Sequence, residues 1–183
     1  VYAAAVKLCE AWYFVPTAVT ASLFPAIVSA KQKSEILYQK RLQKFYDLMI
    51  WGAVAVALPT TLLADWVVQF LYGEDFLGAA DILRIYIWTG IFVSLGIASS
   101  KWLIVEKLER YSFYRTAIGA ALNVGFNLWL IPLYGIKGAA IATFASYGIS
   151  VYVCMGCFPK IRKNFWTATY SLNPLGVYRR VLR

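Results

Sequence analysis

The stretch Asn123-Val-Gly-Phe-Asn-Leu-Trp-Leu-Ile-Pro-Leu-Tyr-Gly-Ile-Lys-Gly-Ala-Ala-Ile-Ala-Thr143 decides how this chain folds. Apolar residues occupy every face of its first half, where a helix of a soluble domain keeps one polar side. Asn123 and Asn127 sit one turn apart within it. Pro132 and the Tyr134-Gly135 pair end the helix, and Gly138-Ala-Ala opens a second apolar run. The stretch reads as two membrane-spanning helices joined by a very short loop.

The rest of the chain repeats that plan. Its 183 residues are 61% hydrophobic and 15% charged, whereas an ordinary soluble domain carries about 25% charge. The expected fold class is all-α, a polytopic membrane helix bundle. It covers residues 1–158, with spans at about 3–28, 45–64, 82–105, 116–133 and 138–158, and a basic tail over 159–183 follows. Pro16 and Pro25 fall inside the first span, which membrane helices tolerate when neighbours satisfy the freed carbonyls. Residues 29–44 are polar, with Ile36, Leu37, Leu42 and Phe45 giving a helical apolar edge, and read as a loop with a short interfacial helix. Residues 65–81 are acidic and aromatic and suit a connection at the membrane surface, while 106–115 form a polar link.

The net charge is +9. In a soluble protein that excess points to nucleic acid. Here the basic residues lie between or after apolar runs, where cytoplasmic charge gathers, so nucleic acid is not an expected partner. Lys31, Lys33, Lys40, Arg41, Lys44, Lys107, Arg110 and Arg115 fall in two links, and Lys160, Arg162, Lys163, Arg179, Arg180 and Arg183 fall in the tail. Only Arg84 and Lys137, with Lys7 near that edge, belong to the opposite side. The bias places both basic links and the C-terminus in the cytoplasm. Five spans then leave residue 1 outside, which calls for an earlier segment to deliver it. The chain also begins on Val1 with no visible signal peptide, so it reads as part of a longer protein.

No histidine is present, which removes the commonest general base and metal ligand. Cys154-Met-Gly-Cys157 has the spacing of a redox pair, but it sits in an apolar helix without a βαβ context and reads as helix packing. No nucleophile–base pair, phosphate loop or metal cluster occurs, so no catalytic residue, metal or cofactor is expected, and the chain is not read as an enzyme.

Polar residues inside the spans are the candidate substrate path, because such groups are costly in lipid and face the bundle or a wet cavity. At 100° per residue, Lys7, Glu10, Phe14 and Thr17 share a face of the first span, and Gly90, Ser94, Ala98 and Lys101 share one of the third. Thr116, Gly119, Asn123 and Asn127 align on the fourth, and Ala139, Thr143, Ser146 and Ser150 on the fifth. Each stripe also has a plain reading: Lys7 and Lys101 snorkel, Glu10 pairs with Lys7, and the asparagines bond helix to helix.

Three stretches carry a family resemblance. They are Tyr2-Ala-Ala-Ala-Val-Lys-Leu-Cys-Glu10 with Pro25 closing the run, Leu71-Tyr-Gly-Glu-Asp-Phe-Leu-Gly-Ala-Ala-Asp-Ile-Leu83, and the opening stretch from Asn123 to Thr143. In order and spacing they resemble the C-terminal part of a Wzx-type O-antigen or polysaccharide repeat-unit flippase. That family belongs to the multidrug/oligosaccharidyl-lipid/polysaccharide exporter superfamily. The resemblance implies about twelve helices in two bundles around a central cavity, with this chain supplying the last five. It implies transport of undecaprenyl-pyrophosphate-linked oligosaccharide repeat units across the bacterial inner membrane, for O-antigen or capsule. The implied partners are that lipid-linked oligosaccharide, membrane lipids, and the polymerase and other polysaccharide-assembly proteins. It further implies a cationic lumen, for which Lys7, Arg84 and Lys101 are the candidates here. Two other readings stay open: a cation-coupled drug or small-molecule antiporter of the same superfamily, which would use embedded carboxylates such as Glu10 or Asp47, and a non-transporting membrane scaffold.

Overall fold

A computed structural model describes residues 2–181; Val1, Leu182 and Arg183, the last of them counted in the basic tail, lie outside the described residues. The described residues form helices joined by short turns, with no strand among them, and five helical segments are long and apolar enough to cross a membrane.

The first segment is α1 (Tyr2–Trp12) and α2 (Phe14–Lys33). They part at Tyr13 because Pro16 has no N–H for the Trp12 carbonyl, and the Tyr13 amide turns back to Glu10 O at 2.9 Å. Ser34, with φ −164° and ψ 132°, is the whole connection to α3 (Glu35–Leu62). The polar stretch 29–44 is therefore not a loop with a separate surface helix. It prolongs α2 and α3 beyond their apolar parts, and its apolar edge packs on protein: Tyr38, Leu42 and Phe45 are buried, while Ile36 is exposed.

Pro59 loosens the end of α3, and α4 (Ala64–Tyr72) follows as a short surface helix. Ala64 and Val68 point inward, while Trp66 and Phe70 stack at 5.3 Å on the exposed side, an aromatic pair suited to a membrane interface. Gly73, at φ 84°, turns the chain towards α5 (Gly78–Tyr86), and a bend at residues 87–88 leads into α6 (Thr89–Val105). Lys107 takes φ 57° and lets the Leu108 amide reach Leu103 O at 2.8 Å, closing α6 in a Schellman cap. The helix α7 (Arg110–Tyr134) then starts several residues before the expected span.

The stretch that opened the sequence analysis forms a tight helical hairpin. Gly135 (φ 58°) joins α7 to α8 (Ile136–Tyr147), and Gly138 lies so close to α7 that an added Cβ would fall 2.2 Å from the Leu130 carbonyl oxygen. A π-helical segment over Gly148–Val153 continues α8 into the short α9 (Cys154–Cys157).

The tail turns back onto the bundle. In α10 (Arg162–Leu172) the buried residues are Asn164, Thr167, Ala168 and Ser171, so its inward face is mostly polar. Gln43 of α3 donates to Thr167 O at 3.1 Å and Ser171 Oγ at 2.6 Å, and Trp51 Nε1 donates to Ser171 O at 2.8 Å. Asn173 Oδ1 accepts from the Leu175 and Gly176 amides and so starts α11 (Pro174–Val181). From α11, Arg180 clamps Asp47 through two bonds of 2.8 and 3.0 Å.

Two apolar cores result. The larger joins α2, α3, α6, α9 and α10 around Tyr46, Ile50, Leu95, Trp102, Met155 and Ala168. The smaller joins α1, α4, α5 and α8 through small residues such as Ala5, Ala79 and Ala140. Between them α6 diverges from the α7–α8 hairpin.

Candidate functional site

That divergence leaves a cavity of about 800 Å³. Val93, Gly96, Ile97, Ser100 and Lys101 of α6 form one wall, and Ser112, Arg115, Thr116, Gly119 and Asn123 of α7 the next. Thr143, Ser146, Tyr147 and Ser150 complete it from α8 and the π segment, with Thr17 and Tyr86 at its margin. Local structure explains the shape. Gly119 lets α7 approach the π segment, since a Cβ there would lie 2.9 Å from Ser150. The π segment widens one turn, a device often found at functional sites, and places Ser150 and Val151 in the wall.

The lining holds two cations and, among the described residues, no carboxylate. Lys101 is half-buried, and its Nζ lies 5.1 Å from the Phe24 ring centroid. Arg115 is only 6% exposed. Its Nη1 donates to Ser99 Oγ at 2.8 Å, and its Nη2 donates to Ser100 Oγ at 3.0 Å and Gly96 O at 3.3 Å. No described carboxylate lies within ion-pair distance of it, so neutral acceptors alone hold a buried positive charge. An arginine carries five N–H groups, and three here are engaged within the protein. The rest make no hydrogen bond to the described residues. The hydroxyls of Ser100, Thr143 and Ser146 donate to helix carbonyls four residues back and offer only acceptor lone pairs to the cavity. The charge that the described lining carries is therefore positive, and the rest of the wall mixes hydroxyl and apolar groups.

The structure gathers some of the sequence candidates and separates others. Lys101 and Asn123 line the cavity, and Asn123 Nδ2 reaches Thr143 Oγ1 at 3.4 Å across the α7–α8 hairpin. Asn127 lies outside it, in a shallow groove with Val124, Leu128 and Ile131, and donates to Asn123 O and Oδ1 at 2.8 and 2.9 Å. Lys7 and Glu10 are exposed, away from the cavity, and form no ion pair with each other. Arg84 is tied to Asp65 at 2.6 Å and Asp81 at 3.1 Å at the acidic end, and Lys137 joins Asp81 at 2.7 Å. On α6, Ser94 and Ala98 are buried in packing, and Lys101 keeps company with Gly96, Ile97 and Ser100 instead. Arg115, assigned by its neighbours to a polar link, is the residue that sequence reasoning missed. The signal was present: Ser112 and Arg115 carry the Thr116, Gly119 and Asn123 stripe one turn further back at helical spacing.

Comparison with known proteins gives a consistent picture. The family model described as "Lipid II flippase MurJ" matches residues 14–173, from α2 through α10. Among relatives, the "Probable flippase AglR" of Haloferax volcanii is 24% identical over 170 residues, 87% of this chain and 34% of that protein. The "Lipid III flippase" of Escherichia coli is 24% identical over 148 residues, 79% of this chain and 34% of its own length. The "Probable lipid II flippase MurJ" of Thermotoga maritima is 23% identical over 163 residues, 85% and 34% respectively. The chain thus spans about a third of the length of the curated relatives it matches. No solved structure matches.

Proposed function

The chain belongs to the lipid II flippase MurJ family, a family of flippases rather than enzymes, and on that footing we propose that it forms part of a membrane flippase for lipid-linked saccharides. One observation carries the reading: Lys101 and Arg115 face one cavity whose described lining has no acid to neutralise them. Two unpaired cations in a low-dielectric wall are costly without an anionic ligand. The phosphate of a lipid-linked sugar supplies one. The hydroxyl and aromatic walls around Tyr86, Thr143, Ser146 and Tyr147 suit the sugar attached to it.

In its finer form the proposal is a Wzx-type activity, moving undecaprenyl-pyrophosphate-linked O-antigen or capsular repeat units across a bacterial inner membrane and handing them to a polymerase. The antiporter reading finds no support in the cavity: Glu10 lies outside it, and Asp47 is engaged by Arg180 and Gln43.

The test is genetic. In the full-length protein, expressed in a strain lacking its flippase, Lys101→Gln is expected to lower surface polysaccharide strongly at matched membrane abundance. Lys101→Arg should retain part of it, because the charge stays while its reach and geometry change. Normal polymer with Lys101→Gln would reduce Lys101 to a lysine resting on Phe24.

Orientation is proposed from the basic links: residues 29–44 and the tail face the cytoplasm. Ser34 and Glu74 are both exposed and lie at opposite ends of α3 and α4. A single cysteine at Ser34 should resist an impermeant thiol reagent in intact cells, and one at Glu74 should react. The reverse pattern would invert the topology.

A further inference from the structure

Arg115 does not hold its position alone. Ser99, which receives its Nη1, is fully buried and also accepts Asn164 Nδ2 at 2.7 Å. Asn164 belongs to α10, is fully buried, and accepts the Tyr46 hydroxyl through Oδ1. Each link constrains the next. The Tyr46 O–H is a donor, so it selects the amide oxygen and turns the amide nitrogen towards Ser99. Ser99 Oγ then meets two incoming donors, and its own proton is left to Met155 Sδ at 3.8 Å. With both lone pairs used, the hydroxyl cannot rotate away from the guanidinium.

From this we infer that Asn164, acting through Ser99, is a positioning residue for Arg115, so that the seating of α10 on α3 sets how strongly the cavity holds a phosphate. The inference rests on the cargo reading above and adds a control element to it. The relay is neutral from end to end. It fixes the direction of the guanidinium without neutralising the charge, which a carboxylate at position 164 would do. The relay is also the route by which α10, which lines no part of the cavity, reaches the cavity wall. The remaining contacts of this segment, Ile161 and Ala168 in the larger core and the Arg180–Asp47 clamp, keep Asn164 seated.

The experiment is a double-mutant cycle on the full-length protein in detergent, with farnesyl pyrophosphate as probe and farnesol as the uncharged control. Asn164→Ala is expected to weaken pyrophosphate binding about fivefold or more and leave farnesol unchanged. In an Arg115→Gln background the same substitution should change pyrophosphate binding less than about twofold, because the group it positions is gone. Packing alone would give the same loss in both backgrounds, and that result would overturn the inference. Asn164→Asp preserves the shape and the Tyr46 bond, so it carries the test if Asn164→Ala does not purify. Its carboxylate should draw the guanidinium inward and cost at least as much pyrophosphate affinity; wild-type binding would again overturn the inference. Arg115→Gln with undiminished pyrophosphate binding would remove the cargo reading as well, which separates failure of that reading from failure of the relay alone.

Discussion

Arg115→Gln in the full-length protein is expected to reduce export of lipid-linked saccharide by roughly 10- to 100-fold while leaving membrane abundance and melting in detergent at or above the unmodified level. The size follows from losing a charged hydrogen-bond donor to an anion, worth about 1.5–3 kcal/mol, at about 1.4 kcal/mol per tenfold. The opposite sign for stability follows from burial. Arg115 is 6% exposed and meets only Ser99, Ser100 and the Gly96 carbonyl, so its charge is desolvated without a counter-ion. Taking away a desolvated charge that has no counter-ion removes its burial cost. A residue whose removal leaves folding intact yet costs activity is retained for its ligand. Export preserved at matched abundance would assign Arg115 to helix packing and remove the cargo reading with it.

Much of the membrane architecture was legible from the chain because hydropathy is a local property. The all-round apolar surface of residues 123–143 needs no knowledge of neighbours. In the structure, the membrane-length apolar window of α7 contains no buried residue, as expected of a helix whose apolar faces meet lipid or further protein. What remained hidden depends on contacts between residues far apart in sequence. Residues 29–44 look like a loop because they are polar. Yet Tyr38 and Leu42 are buried in the larger core, where α3 packs on α6 and α10, which turns an apparent surface helix into an extension of a span. Arg115 looks like link charge because it lies at a hydropathy boundary. It is buried where Ser99, 16 residues away in sequence, accepts its guanidinium and is itself held by Asn164, 65 residues further on. The helix α10 gives a misleading signal, since its large apolar residues Trp166, Tyr170 and Leu172 are exposed and its buried stripe is Asn164, Thr167, Ala168 and Ser171. A polar stripe at helical spacing is a signal of bundle-facing structure only where lipid or protein surrounds the helix. Hydropathy alone gives no such context for a tail.

Gly138→Ala is expected to disrupt the protein more than any other glycine-to-alanine change in the α7–α8 hairpin. A Cβ at 138 would stand 2.2 Å from Leu130 O, 2.6 Å from Leu130 C and 3.0 Å from Ile131 N. These are backbone atoms of a helix and have no rotamer in which to yield. The two helices must separate, and they are the walls that carry Asn123 and Thr143 on opposite sides of one hydrogen bond. Overpacking typically costs about 1–3 kcal/mol, and contact with main chain belongs at or above the top of that range. Loss of membrane abundance and of detergent-stable protein should therefore accompany loss of export. Gly125 supplies the internal control on the same hairpin. Nothing lies within 4 Å of a Cβ there, so Gly125→Ala meets no obstacle. It should be neutral or gain up to about 1 kcal/mol from the better helix propensity of alanine. Equal abundance and melting for Gly138→Ala and Gly125→Ala would mean that the hairpin is not closed by helix-to-helix backbone contact. The reason for a glycine at 138 would then have to lie in the turn at Gly135, whose φ of 58° and ψ of −138° already restrict that position to glycine.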